Sequence, residues 1–279
     1  MAPQLIFGTA TFGMDLTEFQ SAETVKPLLA VLKTLGITRL DTAARYPPLN
    51  PGRSEQLVGE GEAIKTGFLV DTKVYTDTKT DGSGDLTQEA IEKSVSASLD
   101  RIQAPGGVNV LYAHRPDPQT PLATQIQNLN AQVIKGHCQA WGVSNFPPPL
   151  LEKILSLCDE NGWAKPKWYQ GHADTRAGDS NPLGKMVQRA FGAEDLQVAM
   201  KRFDEAVEAE GVTSTEVAIR WVTHHSALTE EDSVVLGASK VAQIHETMAF
   251  IRKGELPENL LHFTEDLWKA LRESRGSIC

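Results

Sequence analysis

The sequence predicts an α/β protein, a single barrel-like domain of parallel strands. Three observations carry this reading. Short apolar runs alternate with amphipathic helical segments along most of the chain, and such alternation predicts parallel strands joined by right-handed crossovers. The length of 279 residues suits an α/β barrel, which takes about 250 residues as one domain. The first strand is followed by no GxGxxG, the mark of an open dinucleotide-binding sheet, although an open doubly wound sheet would also fit the strand count.

The elements follow in order. Leu5–Gly8 is a short apolar run that ends in glycine, a first strand. Ser21–Leu35 carries apolar residues at Val25, Leu28, Leu29, Leu32 and Leu35, the spacing of one helix face. Gly36 stops that helix, since it tolerates positive φ. "ITRLD" reads as the second strand, Ser54–Ile64 as a helix and Phe68–Lys73 as the third strand. Leu86–Ile102 is a strong amphipathic helix and Gly107–His114 a fourth strand. A helix opening at Pro121 runs to Lys135; Ala140–Phe146 is the fifth strand, Pro149–Asn161 a helix and Lys167–Gly171 the sixth strand.

There the rhythm breaks. Residues 171–193 are small, polar and turn-rich, and no apolar strand stands among them. Helical spacing resumes at Glu194–Glu210 and Ser214–His225. Ser233–Gly237 is a seventh strand, followed by helices from Val241 and over Pro257–Arg275. No tandem repeat and no linker divides residues 1–279, so the expectation is one domain with an atypical, shortened segment at 171–193.

Composition narrows the functional classes. A net charge of -9 with scattered basic residues argues against non-specific binding of nucleic acid. Cys138, Cys158 and Cys279 have neither CxxC pairing nor metal-ligand spacing, which suits free thiols in a reducing compartment and gives no metal site. No run approaches the roughly 18 apolar residues of a membrane span, and no secretory signal is visible at the start. The expectation is a soluble, cytoplasmic protein with no membrane partner.

In a parallel barrel, function gathers at the carboxyl ends of the strands. The second strand ends in Asp41, the third in Lys73 and the fourth in His114, while Tyr46 follows Asp41 by five residues. Each alone has an ordinary structural reading, as a cap, a surface lysine, a hydrogen-bonded histidine or a packing aromatic. Together they suit acid catalysis at a carbonyl. A tyrosine keeps its proton near neutral pH and can donate it. A neighbouring ammonium favours the phenolate left behind, and a carboxylate would keep that ammonium charged and in place. An imidazole can hydrogen-bond a carbonyl oxygen and orient it.

The chain resembles the aldo-keto reductase family, nearest its aflatoxin-aldehyde-reductase branch and fungal relatives. The motifs that carry the resemblance are "FGTATFG" (Phe7–Gly13), "DTAARY" (Asp41–Tyr46), "SEQLVGE" (Ser54–Glu60), "DTKV", "LYAHRPD", "WGVSNF", "WYQG" and "VVLGAS", in the family's order. The resemblance implies a (β/α)8 TIM barrel whose catalytic tetrad is Asp41, Tyr46, Lys73 and His114. Tyr46 would be the proton donor, Lys73 and Asp41 would tune it, and His114 would orient the carbonyl. Ser144, Asn145 and Gln170 resemble the residues that hold a nicotinamide carboxamide. Gly237, Ser239, Lys240 and Gln243 resemble the adenosine-phosphate end of an NADPH site. Phe12, Met14, Arg45, Arg115 and Phe146 would rim the site for a small-molecule carbonyl substrate.

Two departures stand out. Thr247 occupies a position where the family usually has asparagine. The sixth helix and seventh strand of the family, with the aromatic and small-residue loop that follow, are not recognisable between Gly171 and Leu183, and Pro182–Met186 resembles a segment downstream of that strand. The leading expectation is therefore an NADPH-dependent reductase of an aldehyde or ketone. The competing ones are a non-redox acid/base enzyme of specialised metabolism on a degenerate barrel, and an inactive pseudoenzyme. A missing strand would leave open backbone edges, which a homodimer could cover.

Overall fold

The computed structural model describes residues 2–77, 79–171 and 194–271. The readings placed on 172–193, on the helix end near Arg275 and on Cys279 lie outside the described residues. The chain forms two compact units, one of residues 5–172 and 234–243, the other of residues 1–4, 173–233 and 244–279.

The first unit is the strand-and-helix body. It holds β1 (Gln4–Gly8), α1 (Ala22–Thr34), β2 (Arg39–Asp41), α2 (Arg53–Glu60), β3 (Leu69–Lys73) and α3 (Gln88–Ile102). It continues through β4 (Val108–Ala113), α4 (Leu122–Ile134), β5 (Cys138–Ser144), α5 (Pro148–Asn161) and β6 (Trp168–Gln170), and takes in β7 (Ser233–Gly237). The seven strands make one sheet in the order β6-β5-β4-β3-β2-β1-β7. The pairings from β1 through β6 are all parallel. This is a partial (β/α)8 barrel. Its sheet ends at β6 and β7, and among the described residues no further strand joins them.

The pattern that specifies these elements is visible in their burial. Val25, Leu28, Leu29 and Leu32 form the buried stripe of α1. The helix closes in a Schellman motif: Gly36 takes φ +81° and the Ile37 N–H donates to the Leu32 carbonyl at 2.9 Å, a turn that favours glycine. Phe7, Phe12 and Phe19 cluster beneath β1, with centroids 5.4–6.4 Å apart.

Two elements depart from their expected bounds for readable reasons. α2 stops at Glu60 rather than continuing to Ile64. It too ends in a Schellman motif, with Glu62 at φ +60° and the Ala63 N–H on the Val58 carbonyl at 3.2 Å. The left-handed residue is a glutamate, so the usual glycine signal is absent. β5 spans Cys138–Ser144 rather than Ala140–Phe146, because Asn145 at φ +61° breaks the extended backbone.

The second unit contains the helices α6 (Glu194–Ala209), α7 (Ser214–His224), most of α8 (Val241–Arg252) and α9 (Glu258–Leu271). Its core is Val207, Val217, Leu256 and Leu260, with Phe203, Val212, Leu261 and Phe263 packed on it. Glu216 is nearly buried there between Arg220 at 2.8 Å and Lys253 at 2.6 Å.

Candidate active site

The register of the central strands places the titratable residues. Asp41 pairs with Asp71, and Lys73 pairs with Tyr112. Side chains two residues apart on a strand share a face. Arg39 and Asp41 on β2 therefore share one face, as do Asp71 and Lys73 on β3. Two ion pairs result, one above the other.

The upper pair lies at the strand ends. Lys73 Nζ donates to both carboxylate oxygens of Asp41 at 2.7 Å and to the Thr42 carbonyl at 2.9 Å. Lys73 is 1% exposed and Asp41 5%. Burial alone would pull the lysine toward its neutral form. The Asp41 carboxylate, with a contribution from Tyr46, outweighs burial and holds the ammonium above the usual lysine range. The Lys73 nitrogen lies 5.1 Å from the Tyr46 ring centre. The His114 ring meets the Tyr46 ring edge-on, with centroids 5.7 Å apart and an interplanar angle of 84°. His114 is buried and Tyr46 is only half-buried. The four residues expected to act together are thus brought together, with the phenol the most open to solvent.

The lower pair was not singled out from sequence. Asp71 accepts from Arg39 Nε at 2.8 Å and from Asn109 Nδ2 at 2.6 Å, and the Arg39 guanidinium lies 4.5 Å over the Trp168 ring. Burial pushes the Asp71 carboxyl upward even against the Arg39 charge. A second phenol, Tyr112, has its ring centre 5.8 Å from Lys73 Nζ. Burial, then the Asp71 and Asp41 charges, push its ionisation far up, so it keeps its proton. Of the two tyrosines beside Lys73, only Tyr46 combines the cation with access.

The residues expected to meet a nicotinamide also converge. Ser144 pairs with Gln170 across β5 and β6. Asn145 donates from Nδ2 to the His114 carbonyl at 2.9 Å and to Ser144 Oγ at 3.1 Å. Gln170 Oε1 is buried and accepts no hydrogen bond from the described residues. A carboxamide NH2 group would satisfy that oxygen, so this end of the site fits a nicotinamide. The other end gathers after β7. Gln243 Oε1 accepts from Ser239 N at 2.8 Å, Ser239 Oγ at 3.1 Å and Lys240 N at 3.1 Å, while Gly237 closes the strand.

The expected rim residues are placed unequally. Phe12 and Phe146 are at 0% and 2% exposure, so both side chains lie within the packed body. Met14 and Arg45 are half-buried. Arg115 is tied to the loop between β3 and α3: it donates to the Asp77 carbonyl at 2.7 Å and the Thr80 carbonyl at 3.0 Å, and pairs with Asp85 at 3.3 Å. Asp117, also unmarked by sequence, ties the same loop down. Its carboxylate accepts from the backbone N–H of Gly84 and Leu86, each at 3.0 Å, of Gln119 at 2.9 Å and of Thr120 at 3.1 Å, and from the Thr120 hydroxyl at 2.6 Å. Among the described residues no group of three or more His, Cys, Asp or Glu could hold a metal ion, and no helix is long and apolar enough to cross a membrane.

The fold is thus a partial (β/α)8 barrel with an acid, a lysine and a histidine at or just past three successive strand ends. The family model for the aldo/keto reductase family matches residues 4–175, more than half of the chain, and the chain belongs to that family. An aldo-keto reductase of Pseudocercospora fijiensis is 26% identical over 292 residues, covering 88% of this chain and 97% of its own. Aflatoxin B1 aldehyde reductase member 2 of Rattus norvegicus is 26% identical over 324 residues, covering 97% of this chain and 86% of its own. Oxidoreductase sirO of Leptosphaeria maculans is 26% identical over 323 residues, with 98% and 95% covered. All three alignments are longer than the 279 residues of this chain, so these relatives carry residues with no counterpart here.

Proposed function

We propose that the chain is an NADPH-dependent reductase of an aldehyde or ketone, with Tyr46 as proton donor. The observation that carries this reading is the buried Lys73–Asp41 pair set against the half-exposed phenol of Tyr46, with His114 alongside. When bound, the reduced nicotinamide supplies the hydride to the carbonyl carbon. The protein handles the rest of the charge. His114 donates a hydrogen bond to the carbonyl oxygen and orients it. As that oxygen becomes an alkoxide, the Tyr46 hydroxyl transfers its proton, which completes the alcohol. The Lys73 ammonium stabilises the phenolate that remains, and Asp41 keeps that ammonium charged and aimed.

Ser144 and Gln170 would hold the carboxamide, and Asn145 fixes the loop between them and His114. Ser239, Lys240 and Gln243 would meet the adenosine end. The buried thiols of Cys138 and Cys158 suit a reducing compartment, and we place the enzyme in the cytoplasm. Titration of the protein with NADPH, followed by cofactor fluorescence, tests the reading together with aldehyde-dependent cofactor oxidation. Saturable micromolar binding and turnover are expected. No binding up to millimolar cofactor would contradict the reading.

A further inference from the structure

We infer that Glu18 is a specificity-determining residue, one that weakens this site's preference for NADPH over NADH. The inference rests on the reading above that a nicotinamide dinucleotide lies along the ends of β5, β6 and β7. The two dinucleotides differ only in a phosphate on the adenosine ribose, so discrimination depends on the groups that meet that phosphate.

The backbone N–H groups at the start of α8 are the natural receivers of an anion, because a helix leaves its first N–H groups without intrahelical partners. In this chain the first of them, on Val241, is taken, and so are the N–H groups of Ser239 and Lys240 just before the helix. Gln243 Oε1 accepts from Ser239 N and Lys240 N. Glu18 Oε2 accepts from Val241 N at 2.8 Å. Glu18 is fixed in place through its own N–H, which donates to the Ser239 carbonyl at 2.9 Å. Next to it, the Thr11 hydroxyl donates to the Ala238 carbonyl at 2.7 Å. The loop after β1 is thus strapped to the loop after β7, and it delivers a carboxylate to the helix start.

A phosphate dianion brought to these N–H groups must either displace that carboxylate or sit beside it. Both are unfavourable, and Lys240, the cation next in sequence, is exposed, where solvent screens its charge. A ribose hydroxyl carries no charge and can donate to the carboxylate, as acidic residues do to the ribose in other dinucleotide sites. The penalty therefore falls on NADPH and spares NADH.

The test is equilibrium titration of the wild type and Glu18→Gln with NADPH and NADH by cofactor fluorescence, and with adenosine 2′,5′-bisphosphate and AMP by calorimetry. Glutamine keeps an oxygen to accept the Val241 N–H and removes only the charge at an exposed position. Removing a like charge at contact distance should tighten NADPH and the bisphosphate about tenfold, with NADH and AMP nearly unchanged. If both dinucleotides bind and their affinity ratio is the same in the two proteins, the role of Glu18 is overturned while the reductase reading stands. If neither dinucleotide binds to either protein, the reading and the inference fall together.

Discussion

Lys73 Nζ stands 2.7 Å from each carboxylate oxygen of Asp41, and the two side chains are only 1% and 6% exposed. Neither charge has water to lean on, so each depends on the other. The pair joins the ends of adjacent strands and fixes where the ammonium sits relative to Tyr46.

Asp41→Asn should therefore be costly. It leaves a buried ammonium without its counter-charge, a change worth about 3–5 kcal/mol of stability. The folded-state ionisation of Lys73 lies above its ordinary value. Its contribution is thus fully present below the unfolded lysine value and fades as pH rises through the folded one. Urea denaturation across an alkaline series checks this: the wild type should lose stability there, and the variant should start lower and lose less.

Asp117→Asn should loosen the loops after β3 and β4. Burial would raise this carboxyl, but the Thr120 hydroxyl and the N–H groups of Leu86, Thr120 and Gln119 outweigh it and hold it below the usual range. An amide at this position points NH2 at N–H donors and loses charge-assisted hydrogen bonds, each worth about 1.5–3 kcal/mol. The wild-type contribution is present above the unfolded aspartate value and is lost as pH falls through the folded one. Denaturation midpoints at neutral and acid pH should show a large gap between the proteins that narrows in acid.

Gly59→Ala tests the packing of α2 on α3. A methyl group at Gly59 would run into the carbonyl oxygen of Arg101 and lie 3.0 Å from the Ile102 carbonyl carbon. The clash is with backbone, which cannot swing aside, so a loss of about 1–3 kcal/mol or more is expected. A thermal melt unchanged from the wild type would show that the helices can part there without cost.

Much of this was legible in the sequence because it is local. The stripe Val25, Leu28, Leu29 and Leu32 announces α1, Gly36 announces its end, and the strand ends carrying Asp41 and Lys73 announce where those two side chains meet. Asp71 and Arg39 carry no such signal, because they stand on different strands and a single charge inside a strand has no periodicity. Asp117 reaches N–H groups 31 and 33 residues away, and Glu18 meets an N–H 223 residues away; spacing along the chain cannot show such bonds. Residue type and position suit Phe12 and Arg115 to a rim, yet Phe12 packs against Phe7 and Phe19 and Arg115 is bound to the loop over Asp77 and Thr80. Residue type alone does not say which way a side chain is committed.

The central claim is that Tyr46 gives the proton. The most direct test is Tyr46→Phe, measured for NADPH-dependent reduction of an aldehyde and, separately, for NADPH binding by fluorescence. Loss of one general acid should lower turnover about a hundred- to ten-thousandfold while the cofactor still binds with nearly wild-type affinity. Full turnover in the phenylalanine variant would contradict the account.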